Sequence, residues 1–110
     1  MSNSYGRKGA LSPSDTNEAE LYLCPSSTEL LGGVLNITNR TSSLSTYRVA
    51  HTDASGAATD EDWSGGYDTE IFGNDVHQIA GITMGPGETI RVRTDTPNSL
   101  SFVLTGMEKS

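Results

Sequence analysis

Between Gly32 and Ala50 the apolar residues alternate with polar ones instead of recurring every third or fourth position, which is the pattern of strands and not of a helix. Leu35 and Ile37 point one way and Val34, Asn36 and Thr38 the other, and after a polar break the alternation resumes in Tyr47, Arg48 and Val49. The break, Asn39 to Ser43, is rich in short polar side chains that bond to their own backbone, so the stretch reads as a β-hairpin. It holds no nucleophile with a base, no metal-ligand spacing and no phosphate loop.

The same alternation recurs on both sides. Glu18 to Cys24 reads as a strand with Ala19, Leu21 and Leu23 on one face and Glu18, Glu20 and Tyr22 on the other, ended by Pro25, which has no amide hydrogen for a ladder. Gly32-Gly33 marks a bulge or bend. A long polar segment from His51 to Gly66 follows the hairpin, and loops of that length in small domains are more often functional than idle. Tyr67 to Phe72 is the next strand, with Tyr67, Thr69 and Ile71 on one face, and Val76 to Ala80 another. In Glu88 to Thr94, Ile90 and Val92 point inward and Arg91 and Arg93 outward, and Leu100, Phe102 and Leu104 line the last strand.

About seven strands with a turn every eight to twelve residues predict an all-β chain: a single antiparallel β-sandwich of immunoglobulin-like or jelly-roll type over residues 18–110. Residues 1–17 have no usable period and are set apart as an extended N-terminal arm. Leu35, Ile37, Tyr47, Val49, Ile90, Val92, Phe102 and Leu104 are the core candidates.

Leu, Ile, Val and Phe number 21 of 110 residues, which predicts one domain with a thin core that gains stability by packing on neighbours. The net charge of −7 makes nucleic acid a poor partner. No apolar run is long enough for a membrane span, and the N-terminus lacks the apolar core of a signal peptide, so the expectation is a protein that meets no membrane. Cys24 is the one cysteine, with no intrachain disulfide open to it and no basic neighbour to activate it, and reads as a buried thiol.

His51 at a strand end and His77 on a strand face stand in no catalytic signature, so neither is assigned a catalytic role and the chain reads as no enzyme. The acidic trio Asp60 to Asp62 lacks the order of a calcium loop, and no metal or other cofactor is expected. Trp63 and Tyr67 flank Gly65-Gly66 and form either a small carbohydrate or protein contact or a cap on the open end of the sandwich.

Glu20-Leu21-Tyr22 with Pro25, Leu35 to Arg40, Thr46 to Ala50, Gly73-Asn74-Asp75, Gly81-Ile82-Thr83, Ile90-Arg91-Val92 and Leu100-Ser101-Phe102, taken as an ordered set over most of residues 5–107, resemble small all-β virion structural proteins of tailed bacteriophages, cyanophages among them. The resemblance implies a structural protein of the virion, made in the host cytoplasm, without catalytic activity. Its partners would be copies of itself and other virion proteins, at the capsid surface as a decoration or cement component or at the neck, tail or baseplate. The chain departs from the family pattern at Trp63 to Gly66, where a continuous apolar strand start is expected.

Charge suggests how docking would work. Between Arg48 and Arg91 there is no Lys or Arg, while Asp53, Asp60, Glu61, Asp62, Asp68, Glu70, Asp75 and Glu88 all fall there. The arm carries the opposite sign in Arg7 and Lys8, with Tyr5 and Leu11 as apolar anchors. The arm is therefore expected to become ordered only against a neighbouring virion protein, while the acidic 53–75 region faces solvent.

Overall fold

Every alternating segment of the sequence is a strand in the structure, a computed structural model that describes residues 3–110. In chain order the strands are β1 (Asn3–Leu11), β2 (Ala19–Leu23), β3 (Glu29–Asn39), β4 (Ser45–Thr52), β5 (Trp63–Ile71), β6 (Val76–Met84), β7 (Thr89–Thr94) and β8 (Leu100–Lys109). One short 3-10 turn, Asp60–Asp62, precedes β5. All strand pairs are antiparallel, and they form two four-stranded sheets, β1-β8-β3-β6 and β2-β7-β4-β5.

The topology is that of one long hairpin folded over itself. β4 pairs with β5, β3 with β6, β2 with β7 and β1 with β8, so the partners grow further apart in sequence around the loop that joins β4 to β5. Contacts of β8 with β3 and of β7 with β4 then complete the two sheets.

The eight core candidates are all buried, none more than 4% exposed. Leu35, Ile37, Phe102 and Leu104 come from the first sheet and Tyr47, Val49, Ile90 and Val92 from the second, so the core lies between the sheets. Each such side chain contributes about 1.5 to 3 kcal/mol of burial. Asn39, at the end of β3, is buried but fully employed: its Nδ2 donates to the carbonyls of Ser43 at 2.8 Å and Ile71 at 3.1 Å, and its Oδ1 accepts from the Thr41 amide at 3.0 Å. One side chain thus ties the polar turn after β3 to the second sheet.

The structure corrects the sequence reading at four places. The stretch from Gly32 to Ala50 is not a hairpin, because β3 lies in one sheet and β4 in the other, and the exposed turn between them passes from one sheet to the other. Alternation fixes which face of a strand is apolar, and two such faces are buried equally well when they oppose each other as when they lie side by side. The strand count is eight and not seven, since Asn3–Leu11, in the segment set apart as an arm, pairs with β8 from Asn3 opposite Lys109 to Leu11 opposite Phe102. Met1 and Ser2, the first residues of that segment, lie outside the described residues.

In β2 the expected faces are exchanged beyond Glu20. Glu20 faces Arg91 and Tyr22 faces Ile90, so Leu21 is an extra residue, and this bulge buries Tyr22 while leaving Leu23 45% exposed. A bulge acts similarly in β5, where Tyr47 faces Thr69 but Val49 faces Gly66. Asp68 takes a φ of +54° there, Ile71 stays buried, and Tyr67 is turned out to 57% exposure. Gly65 and Gly66 lie inside this strand because a Cβ at Gly65 would stand 2.8 Å from Val49 and one at Gly66 2.7 Å from Tyr47. The two glycines thus let β5 approach β4.

Candidate docking surfaces

The outer face of the second sheet gathers the charges of β2, β4, β5 and β7. Arg48 on β4 forks onto Asp68 of the β5 bulge, with Nε donating to Oδ1 at 2.7 Å and Nη2 to Oδ2 at 2.9 Å. The bonds from Arg48 hold the Asp68 carboxyl below its usual range. The same guanidinium lies 3.9 Å from the centre of the Tyr67 ring and 5.7 Å from that of Trp63, within cation–π range of both. Trp63 and Tyr67 meet edge to face at 5.5 Å. The two rings singled out in the sequence therefore come together, on the side of the second sheet and not over the open end of the core.

Arg48 and Asp68 complete this cluster and are what the sequence reading missed. The only signal was that Arg48 alternates outward beside Tyr47 and Val49, and without the pairing of β4 with β5 it pointed to no partner. On the neighbouring strands Arg91 bonds to Glu18 and lies 3.8 Å from Glu20, while Arg93 donates to the Thr16 carbonyl at 2.8 Å. Glu18 also accepts from the Ala58 amide at 3.0 Å, which fastens the long acidic loop to this face.

The first sheet presents a different outer face. Val34, Asn36 and Thr38 of β3 stand beside Thr105, Val103 and Ser101 of β8, and Asn36 and Thr38 beside Gln78 and Val76 of β6, with no charged side chain among them. β1 closes one edge of this sheet and carries the four residues expected to dock. Tyr5 is 75% exposed and Arg7 is exposed as well. Leu11 packs against the core. Lys8 is turned into the molecule: its Nζ donates to Ser4 Oγ at 2.9 Å and lies 3.6 Å from Glu108 Oε1, leaving the side chain 8% exposed. Tyr22 donates to the other oxygen of Glu108 at 2.6 Å, and burial, with that bond, pushes its hydroxyl far above the usual range.

The acidic loop and the turn before β7 enclose an open cleft of about 560 Å³ at one end of the molecule, lined by His51, Asp53, Glu61, Asp62 and Glu88 among others. His51 Nε2 stands 2.7 Å from Glu88 Oε1, and that contact, with the Gly85 amide, lowers the Glu88 carboxyl. His77 Nδ1 is 2.8 Å from the Tyr47 hydroxyl and its Nε2 3.8 Å from Asp75. Each histidine is thus engaged by a different carboxylate. Among the described residues no three His, Cys, Asp or Glu side chains converge as a metal site. Cys24 is buried with its thiol against the Thr28 carbonyl at 3.3 Å, and burial raises its pKa. No helix of the described residues is long and apolar enough to cross a membrane.

No family model matches the chain, and no curated protein matches it. Among solved structures it is similar to a chain in the structure of infectious bursal disease virus Gx strain, at 10% identity and a TM-score of 0.49. The match covers 97% of the present chain but 30% of that one, so this chain spans under a third of its neighbour's length.

Proposed function

We propose that the chain is a non-enzymatic structural protein of a tailed-phage virion that takes its place, as one of many copies, on neighbouring virion proteins as a capsid decoration or cement component. A neck, tail or baseplate position fits the same features. The strand order 1-8-3-6 and 2-7-4-5 is that of an eight-stranded jelly roll, an architecture that serves viral capsids and lectins. Such a fold hosts more than one function, and the residues must carry the rest.

The observation that carries the reading is Tyr5. An aromatic ring 75% exposed on an edge strand, two residues from the exposed Arg7 and beside an uncharged sheet face, is a surface suited to burial against another protein. Lys8 contributes by fixing β1 through Glu108 and not by reaching a partner.

The test is incorporation. Particles assembled with a chain carrying Tyr5→Ser and Arg7→Glu should hold far fewer copies than particles with the natural chain, counted by electron microscopy and by mass spectrometry of purified virions. Deleting residues 2–14 would not separate docking from folding, because it removes β1 from its sheet. Normal incorporation of the double variant would move the docking surface elsewhere, and absence of the natural chain from purified virions would remove the reading altogether.

A second reading draws on the Arg48–Asp68–Tyr67–Trp63 cluster, since a lectin-like jelly roll would use an aromatic platform flanked by a planar donor to hold a sugar. Glycan-array binding lost on Trp63→Ala would favour it over the structural role.

A further inference from the structure

Four strands end the two sheets, and three of them carry the features by which edges are kept from pairing with other chains. β2 is five residues long, bulged at Leu21, and carries Glu20, with Glu18 just before it. β5 breaks register twice and presents Asp68 and Glu70. β1 carries Arg7 and Lys8, a register shift between Arg7 and Gly9, and Gly6 at a φ of +127°. β6 differs. From Val76 to Met84 it has no Asp, Glu, Lys, Arg or Pro, and every side chain before Met84 is exposed or half-exposed. Its pairing with β3 is regular from Val76 opposite Thr38 to Ile79 opposite Leu35, and only beyond Ile79, at Gly81 with a φ of +76°, does a bulge turn it.

We infer that β6 is the edge through which two copies of this chain join, β6 lying antiparallel to β6 of the second copy so that the two four-stranded sheets become one of eight strands. The edge is compatible with itself, an uncharged strand regular from Val76 to Ile79 that can pair antiparallel with its own copy, and this selects a second copy as the occupant. At −7 apiece, two copies repel wherever their acidic loops face each other, and the edge along β6 and the adjoining face of β3 and β8 is where they can meet without opposing like charges. A two-fold axis at Gln78 sets Gln78 opposite its counterpart, Val76 opposite Ala80 and His77 opposite Ile79, so no charged residue opposes another across the regular stretch. Such a contact is isologous and closes at the dimer. It would also cover Ile79 and Ile82, which line a cleft of about 300 Å³ between β5 and β6. The inference rests on the assembly reading only for the use of the dimer, and its own test needs no particle.

Sedimentation velocity of the purified full chain should show a monomer–dimer equilibrium with no larger species at concentrations up to about 100 µM. Gln78→Lys should weaken the dimer at least about tenfold, because it opposes two ammonium groups across the axis. Gln78→Glu should do the same, and an equimolar mixture of the two variants should recover the dimer as a mixed pair. That recovery cannot come from misfolded protein, and circular dichroism of each variant alone should match the natural chain. A natural chain that stays monomeric, a dimer indifferent to both variants, or open-ended oligomers from head-to-tail pairing would each overturn the inference. A monomer in solution together with normal incorporation into virions would sink this pairing alone, whereas a dimer absent from virions would sink the assembly reading alone.

Discussion

The two sheets share one core and differ in what they show to water. The outer face of β2-β7-β4-β5 is held by Arg48 with Asp68 and by Arg91 with Glu18, and two of its strands are bulged. On the outer face of β1-β8-β3-β6, the part made by β3, β8 and β6 is built from Val, Thr, Ser, Asn and Gln, and the charge there is Arg7 on the edge strand β1. A chain of charge −7 that keeps the part of one sheet face made by β3, β8 and β6 free of charge from Val34 to Thr38 has separated the part that repels its copies from the part that does not. The charged face is satisfied within the molecule, and the neutral face is the one with something left to cover.

The largest expected effect tests what the sheets share. Ile37, 0% exposed on the inner face of β3 between β6 and β8, should cost about 2 to 5 kcal/mol when replaced by Ala, through lost burial and the cavity left behind. Denaturant unfolding measures it, and a loss under about 1 kcal/mol would place Ile37 outside the cooperative core. Next comes the contrast between the faces. Glu18→Gln removes the partner of a mostly buried Arg91 and should cost about 1 to 3 kcal/mol. Thr38→Glu, on the neutral face, should change monomer stability by less than about 0.5 kcal/mol. Equal losses would mean that the neutral face is bound into the monomer as firmly as the charged one.

Acid should separate the sheets further. Asp68 and Glu88 have folded-state pKa values below their usual ones, lowered chiefly by the bonds from Arg48 and His51. Each therefore stabilises the fold fully above its unfolded pKa, near 4, and the contribution is lost as pH falls through the lower folded value. Both groups contact β4, so hydrogen exchange between about pH 5 and pH 3 should show β4 and β5 losing protection before β3 and β8 do. Uniform loss across the two sheets would show that the acid response belongs to the whole fold.

How much of this was legible depended on period and on pairing. Inward faces were readable wherever the alternation runs unbroken, as in β3 from Val34 onward, β7 and β8, because a two-residue period leaves one choice of face once one residue is buried. It failed at Tyr22 and Tyr67, where a single extra residue reverses the faces and leaves no mark in the sequence beyond the residues themselves. Which strands are neighbours was not legible at all: β3 and β4 are consecutive and apolar on one side each, yet they face each other across the core. Tyr5 to Leu11 lacked any period because β1 has a shift at Lys8 and is exposed over most of its length, which asks for no alternation. The candidate aromatic pair was found from composition, while Arg48 and Asp68 needed the pairing of β4 with β5.

The smallest effect concerns that pair. Arg48→Lys keeps the charge but loses both the fork onto Asp68 and the plane that lies over Tyr67. Asp68 is half-exposed and the pair lies in water-accessible surroundings, so the melting temperature should hardly move. The local arrangement should change, because Tyr67 stands on a bulge whose outward turn is fastened by this contact and Trp63 lies against Tyr67 at 5.5 Å. The expected result is a shift in the emission of Trp63, the chain's one tryptophan, with little change in the unfolding midpoint. High salt should produce part of the same shift in the natural chain and less in the variant, which has already lost the fork and the ring contact, since screening weakens an exposed pair. A fall in melting temperature as large as that of Ile37→Ala would show that the charged face holds the fold together, and the contrast between the two sheets would then be one of stability and not only of surface.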